Sequence, residues 1–188
     1  MSTRHRSFKS TVTALLAVVG FSIPVTGWAE DRAADLLRQL GEAENAAAAQ
    51  RLERQVIDAW GKSGSASMDL LLKRGHDALA VRDHAAATEH FRALTDHAPA
   101  FAEGWHGLAL AYFQAERFGP AMDALERTLT LNPQHFAAMR GIGAIHERVD
   151  RPVLAYEAYA RALALRPHDE DVEKAMERLE RVALGIRL

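Results

Sequence analysis

Three prolines stand 34 residues apart, at Pro99, Pro133 and Pro167. The register around them repeats without a gap. Gly75, Ala109 and Gly143 keep the interval, as do Ala87, Ala121 and Ala155, and Phe91, Leu125 and Tyr159. Self-similarity at this period constrains the fold to stacked helical hairpins, because each unit must bury its apolar face against a neighbour. Arrays of this kind present surfaces more often than they perform reactions.

Each 34-residue unit reads as two antiparallel helices, A and B. In the second unit Trp105, Leu108 and Tyr112 recur at three- and four-residue spacing and mark the buried face of helix A. A turn is expected at Arg117 to Gly119, with helix B opening at Pro120, where a missing amide proton costs nothing. In the third unit Asp150 is the expected cap of helix B, with Pro152 in its first turn. Asp83 is the corresponding cap in the first unit. The small columns (Gly75, Ala109, Gly143 and Ala87, Ala121, Ala155) are expected to face one another across each hairpin, so that the helices approach closely.

These columns resemble the tetratricopeptide repeat (TPR) family: large apolar, small and aromatic on helix A, then small, aromatic and proline on helix B. The resemblance covers Met68 to Asp169. The second unit fits best, through Trp105, Leu108, Ala109, Tyr112, Ala121 and Pro133. Arg74 and His146 depart from the pattern, standing where Leu108 and Tyr112 do. The resemblance implies an all-α fold, a right-handed α-solenoid of helix-turn-helix repeats with a C-terminal capping helix. The units then span residues 68–101, 102–135 and 136–169. The stretches "AWGKSGS", "LLLKRG" and "APAFAEGW" resemble small exported TPR proteins of alphaproteobacteria, a group that implies a location but no activity.

Residues 170–188 read as the cap, with Val172, Ala175, Met176, Leu179 and Ala183 in one apolar stripe. Residues 30–67 read as a helical hairpin and linker. Gly41 lies 34 before Gly75, so this stretch fits a degenerate repeat stacked on the first unit, with Ser67 as the next helix cap. A single long helix is the alternative.

Residues 1–29 have the form of a secretory signal peptide: Arg4, Arg6 and Lys9, an apolar run from Thr11 to Ile23, then Gly27 and Ala29 before the expected cut. That run is well short of the roughly 20 residues that span a bilayer. Export to the periplasm is the expected location, with no membrane association after cleavage. The segment holds three of the 23 basic residues and none of the 25 acids. The mature chain therefore carries 20 basic against 25 acidic residues, −5, which gives no help in binding nucleic acid. The absence of cysteine excludes disulfides, thiolate metal sites and a thiol nucleophile.

In TPR arrays helix A lines the concave groove. The positions on helix A that avoid their own hairpin are Asp69, Leu72, His76 and Leu79 in the first unit. In the second they are Glu103, His106, Leu110 and Phe113, and in the third Arg140, Ala144, Glu147 and Arg148. An apolar floor flanked by His, Glu and Arg fits a peptide or an amphipathic helix. The basic and asparagine clamp by which some TPR modules read C-terminal carboxylates is missing. The expected function is a non-enzymatic protein-binding scaffold of the cell envelope, with no catalytic residues, no cofactor and no dedicated metal site. GxSxG, HExxH, phosphate-loop and GxGxxG patterns are all absent. Two alternatives stay open. One is a metal-binding protein or hydrolase using Glu103, His76 and His106; the other is a self-associating structural protein.

Overall fold

The computed structural model describes residues 26–183, with side chains described from 32 to 181. The apolar run of the expected signal peptide lies outside the described residues. Among those described there are nine α-helices and no strand: α1 (Thr26–Gly41), α2 (Ala46–Trp60), α3 (Ala66–Ala80), α4 (His84–His97), α5 (Ala102–Gln114), α6 (Phe118–Leu131), α7 (Phe136–Arg148), α8 (Pro152–Leu165) and α9 (Glu170–Ala183). Helices α3 and α4, α5 and α6, and α7 and α8 pair as hairpins, and α4 on α5 and α6 on α7 join them into one solenoid. Helix α9 closes the far end, burying Val172, Ala175 and Leu179 against Ala155 and Tyr159. The core of the first two units is continuous, from Leu72 and Phe91 through Leu108 and Leu125 to Ala138 and Ile145.

The notches work differently from the expected alanine-to-glycine fit. The small positions of helix A receive the large column of helix B. A Cβ on Gly75 would stand 2.5 Å from the Phe91 ring, and one on Gly143 would stand 2.6 Å from the Tyr159 ring. Gly107, which belongs to no glycine column running through all three units, faces Phe91 from the next hairpin, and a Cβ there would overlap the ring. Phe91 is fully buried between two glycines on successive A helices. Alanines 87, 121 and 155 are also fully buried, behind this aromatic contact.

Three helix starts shift from expectation. Helix α6 begins at Phe118 after Arg117, so Pro120 is its third residue. Asp150 does not cap α8; Arg151 holds that position and Pro152 is in the first turn. Asp150 instead adopts a left-handed backbone (φ 56), as do Arg82 (φ 60) and Glu116 (φ 56) at the same step of 34. The A-to-B turn requires that conformation, so the aspartate cannot also serve the extended cap geometry. Helix α3 starts two residues early, after Ser65 rather than Ser67, and the Ser65 side chain makes no cap bond. Asp83 does cap α4, accepting from the Ala86 amide at 3.0 Å.

The N-terminal hairpin departs most. It does not continue the stack: α1 packs along α2 and meets α8, while α2 does not pack along α3. Its own core of Leu36, Leu37, Leu40, Ala49 and Val56 joins Phe136, Ala137 and Leu165 of the third unit. The Gly61–Ser65 linker, with Gly64 at φ +80, turns the chain back to α3. The expected cleavage bond between Ala29 and Glu30 falls within α1.

Candidate functional site

The concave face is built by the A helices α3, α5 and α7, and the chain divides it into a covered half and an open half. The covered half lies near their N-termini, beneath the end of α2. There Asp69 accepts from the Ser63 amide (2.9 Å) and hydroxyl (2.6 Å), tying the linker to α3. Leu72 is buried, with Gly61 over it: a Cβ on that glycine would stand 3.9 Å from its Cδ2. Glu103 is 7% exposed, and the His106 side chain 13%.

The residue that seals this half is His135, which is 1% exposed. It precedes α7, and its Nδ1 accepts from the Ala138 amide at 3.1 Å, capping the helix. With Nδ1 accepting, the ring proton sits on Nε2, which donates to Glu103 Oε1 at 2.8 Å. The indole of Trp60 stacks on His135, with centroids 4.6 Å apart and planes at 21°, and tilts against Phe136 at 5.2 Å. His106 lies 4.5 Å from His135 on the other side, with Nδ1 3.6 Å from Glu103 Oε2. Burial pushes the Glu103 carboxyl up, but its contacts with His106 and His135 outweigh that and hold it well below the usual carboxylate range. Burial pushes the His106 imidazole down, helped by His135 and Arg140, against the pull of Glu103.

Glu103, His106 and His135 each offer a ligand atom within 4.8 Å of the others. The sequence pairing of Glu103 with His106 holds, but the second imidazole is His135 rather than His76, which instead meets the Phe91 ring edge-on at 5.3 Å. The set fits a hydrogen-bonded cluster better than a metal centre. Metal on His135 Nε2 would move the ring proton to Nδ1, where it would face the Ala138 amide and break the cap.

The open half lies toward the C-termini of the A helices. His76 is exposed, and Leu79, Leu110, Phe113 and Ala144 are half-buried. Phe113 tilts against Phe118 at 5.6 Å. A cavity of about 430 Å³ opens beside them, lined by Leu79, Phe113, Phe118, Arg82 and Arg148 among others. Glu147 belongs less to this surface than the sequence implied: it accepts from Tyr159 (3.1 Å) and Arg178 (2.8 Å). Arg140 is 3.8 Å from Asp169, the residue that caps α9 through the Val172 amide. Helix spacing had grouped these twelve positions as one surface. The structure separates Asp69, Leu72, Glu103 and His106, which are engaged internally, from the remainder.

The tetratricopeptide repeat model matches residues 102–135, which are α5, α6 and the loop to His135. The chain contains a tetratricopeptide repeat. A TPR repeat-containing protein of Rhizobium etli is 25% identical over 158 residues, covering 84% of this chain and 78% of that one. Among solved structures, the first TPR of Spaghetti (RPAP3) bound to an HSP90 peptide superimposes with a TM-score of 0.60 at 19% identity, over 62% of this chain and 93% of that one. The Yersinia enterocolitica type III secretion chaperone SycD, in complex with a peptide of the translocator YopD, gives 0.55 at 11% identity, over 65% of this chain and 93% of that one. These likenesses establish the solenoid fold.

Proposed function

We propose that this TPR protein is a non-enzymatic interaction scaffold of the cell envelope that holds a protein segment in the open half of its groove. The observation that carries the reading is the apolar floor of Leu79, Leu110 and Phe113, half-buried and flanked by His76 and Arg148. A short apolar stretch of a partner would bury its side chains there, and an acidic flank would meet Arg148. Structural relatives captured with peptides, RPAP3 and SycD, support a peptide as the ligand class. The envelope location rests on the N-terminal basic and apolar segment with its small residues at Gly27 and Ala29.

Two measurements test the proposal. Crosslinked capture from an envelope fraction should lose its partner on Leu110→Ala with Phe113→Ala, with helicity retained. Capture undiminished by that pair would move the site off the groove. N-terminal sequencing of exported protein should begin at Glu30; a chain retaining its first residues in the cytoplasm would refute export.

A further inference from the structure

The departure of His146 from the repeat pattern changes the junction between the second and third units. At the junction before it, Tyr112 occupies the equivalent place. Its hydroxyl accepts from Arg92 at 2.9 Å, and the Arg117 guanidinium lies 4.8 Å from the ring centroid. One repeat later the same three positions hold His146, Glu126 and Arg151. The imidazole is the smaller group, and a carboxylate stands where a guanidinium bonded the phenol. A cavity of about 580 Å³ opens there between α6, α7 and α8.

We propose that this cavity is a binding site for a free amino acid with a large apolar side chain, held by Glu126 at its ammonium group and by Arg151 and Arg161 at its carboxylate.

The walls supply what such a ligand needs. Met122, Leu129 and Ile142 are half-buried and form the apolar part. The volume is in the range of small-molecule sites and takes phenylalanine with room to spare. The charged groups are uncommitted. The ion pairs at this end of the chain are made by Arg140, Arg166, Lys174 and Arg178, and none among the described residues involves Glu126, Arg151 or Arg161. One acid beside two bases matches a zwitterion. A plain carboxylate would be repelled by Glu126, and a plain amine by the two arginines. Burial holds the His146 imidazole below its ordinary value, and the Arg151 charge adds to this, so the ring brings no third positive charge to the wall near pH 7. Its Nδ1 is buried without a hydrogen-bond partner among the described residues, so this wall holds a polar atom that the chain itself does not satisfy.

The cavity is separate from the groove. Ile142 and His146 each stand two residues, just over half a turn, beyond the groove positions Arg140 and Ala144. The site therefore stands or falls apart from the partner proposed above.

Calorimetric titration of the full chain with L-phenylalanine tests it, and saturable one-to-one binding is expected. N-acetyl-L-phenylalanine lacks the ammonium group and L-phenylalanine amide lacks the carboxylate. Each should bind at least about tenfold more weakly. Glu126→Gln should weaken phenylalanine about tenfold and treat it and the N-acetyl compound alike. Arg151→Gln with Arg161→Gln should erase the preference over the amide. Glu126→Arg with His146→Tyr rebuilds the pairing of the preceding junction, fills the cavity and should abolish binding. Absence of saturable phenylalanine binding to the wild-type chain overturns the proposal, as does equal binding of either blocked compound. If the filled variant loses its helicity, Glu126→Gln decides, since that side chain is exposed and its exchange leaves the packing intact; phenylalanine binding undiminished by it rejects the site.

Discussion

The three repeats and the N-terminal hairpin are both pairs of antiparallel helices, yet different forces place them. In the repeats Phe91 and Tyr159 of helix B seat in glycine notches, and Phe91 is gripped by Gly75 and Gly107 from two successive units. That fit is continuous from hairpin to hairpin, so position along the stack is set by shape. The hairpin meets the solenoid along one seam, where its core joins Phe136, Ala137 and Leu165, flanked by Trp60 on His135, Glu53 on Arg166 and Ala43 on His168. Its place is set by that single seam and its flanking contacts. Close-packed surfaces resist sliding, whereas a single seam can open by itself.

The most severe way to break this contrast is His135→Ala, because His135 serves both regions. The variant removes a helix cap, strips the buried Glu103 carboxylate of its 2.8 Å partner and takes away the platform of Trp60. A loss of about 4 kcal/mol is expected in chemical denaturation, from the cap and the charge-assisted bond together. Gly107→Ala should affect the solenoid alone. Its Cβ would overlap the Phe91 ring, and overpacking of that kind costs about 2 kcal/mol despite the better helix propensity of alanine. A neutral or stabilising result would show the notch to be slack. Trp60→Ala should do the reverse. Amide exchange should quicken across α1 and α2, at a cost of about 1–2 kcal/mol, while α3 to α8 keep their protection.

Acidification sharpens the same distinction. The imidazole of His106 is depressed by burial, and His135 and Arg140 push it the same way. Its unfolded form takes up a proton near the ordinary value of 6.5 while the folded form stays neutral. Stability from this group is therefore fully present above about pH 7 and falls as the pH drops through 6.5. Below the ordinary carboxylate value of 4.5 the depressed Glu103 adds a second loss in the same direction. His106→Gln should flatten the first decline in a series of melts between pH 7.5 and 5.5; an unchanged slope would remove His106 from the account. The smallest change is a gain. Glu116→Gly relieves a left-handed residue and should stabilise by about 1 kcal/mol, less the backbone freedom that glycine adds to the unfolded chain.

Periodicity made the solenoid legible. The columns of Gly75, Phe91 and Pro99 repeat at one interval, and the α3 to α8 hairpins follow from them. What it hid are residues that act once. Gly107 has Lys73 at the equivalent place of the first unit, so reading by column passed over the second jaw on Phe91. His135 shares its column with Phe101 and Asp169, the residues just before α5 and α9. A polar residue at a helix start is the signal the sequence carries; the reach of the same ring to Glu103 on another helix is not written in the spacing. Helical spacing assigns the twelve groove positions to one face, but spacing carries no information about a second segment lying across it. Nothing in the composition of residues 46–60 distinguishes a helix that extends the stack from one that turns back over α7.

The three left-handed turn residues carry one further consequence. Arg82, Glu116 and Asp150 are exposed and share a single backbone geometry at the same rim of the solenoid. Glycine would suit that geometry better and would leave the rim bare. Instead the edge bears a positive charge followed by two negative ones, spaced one repeat apart, so that otherwise interchangeable units become individually addressable along their margin.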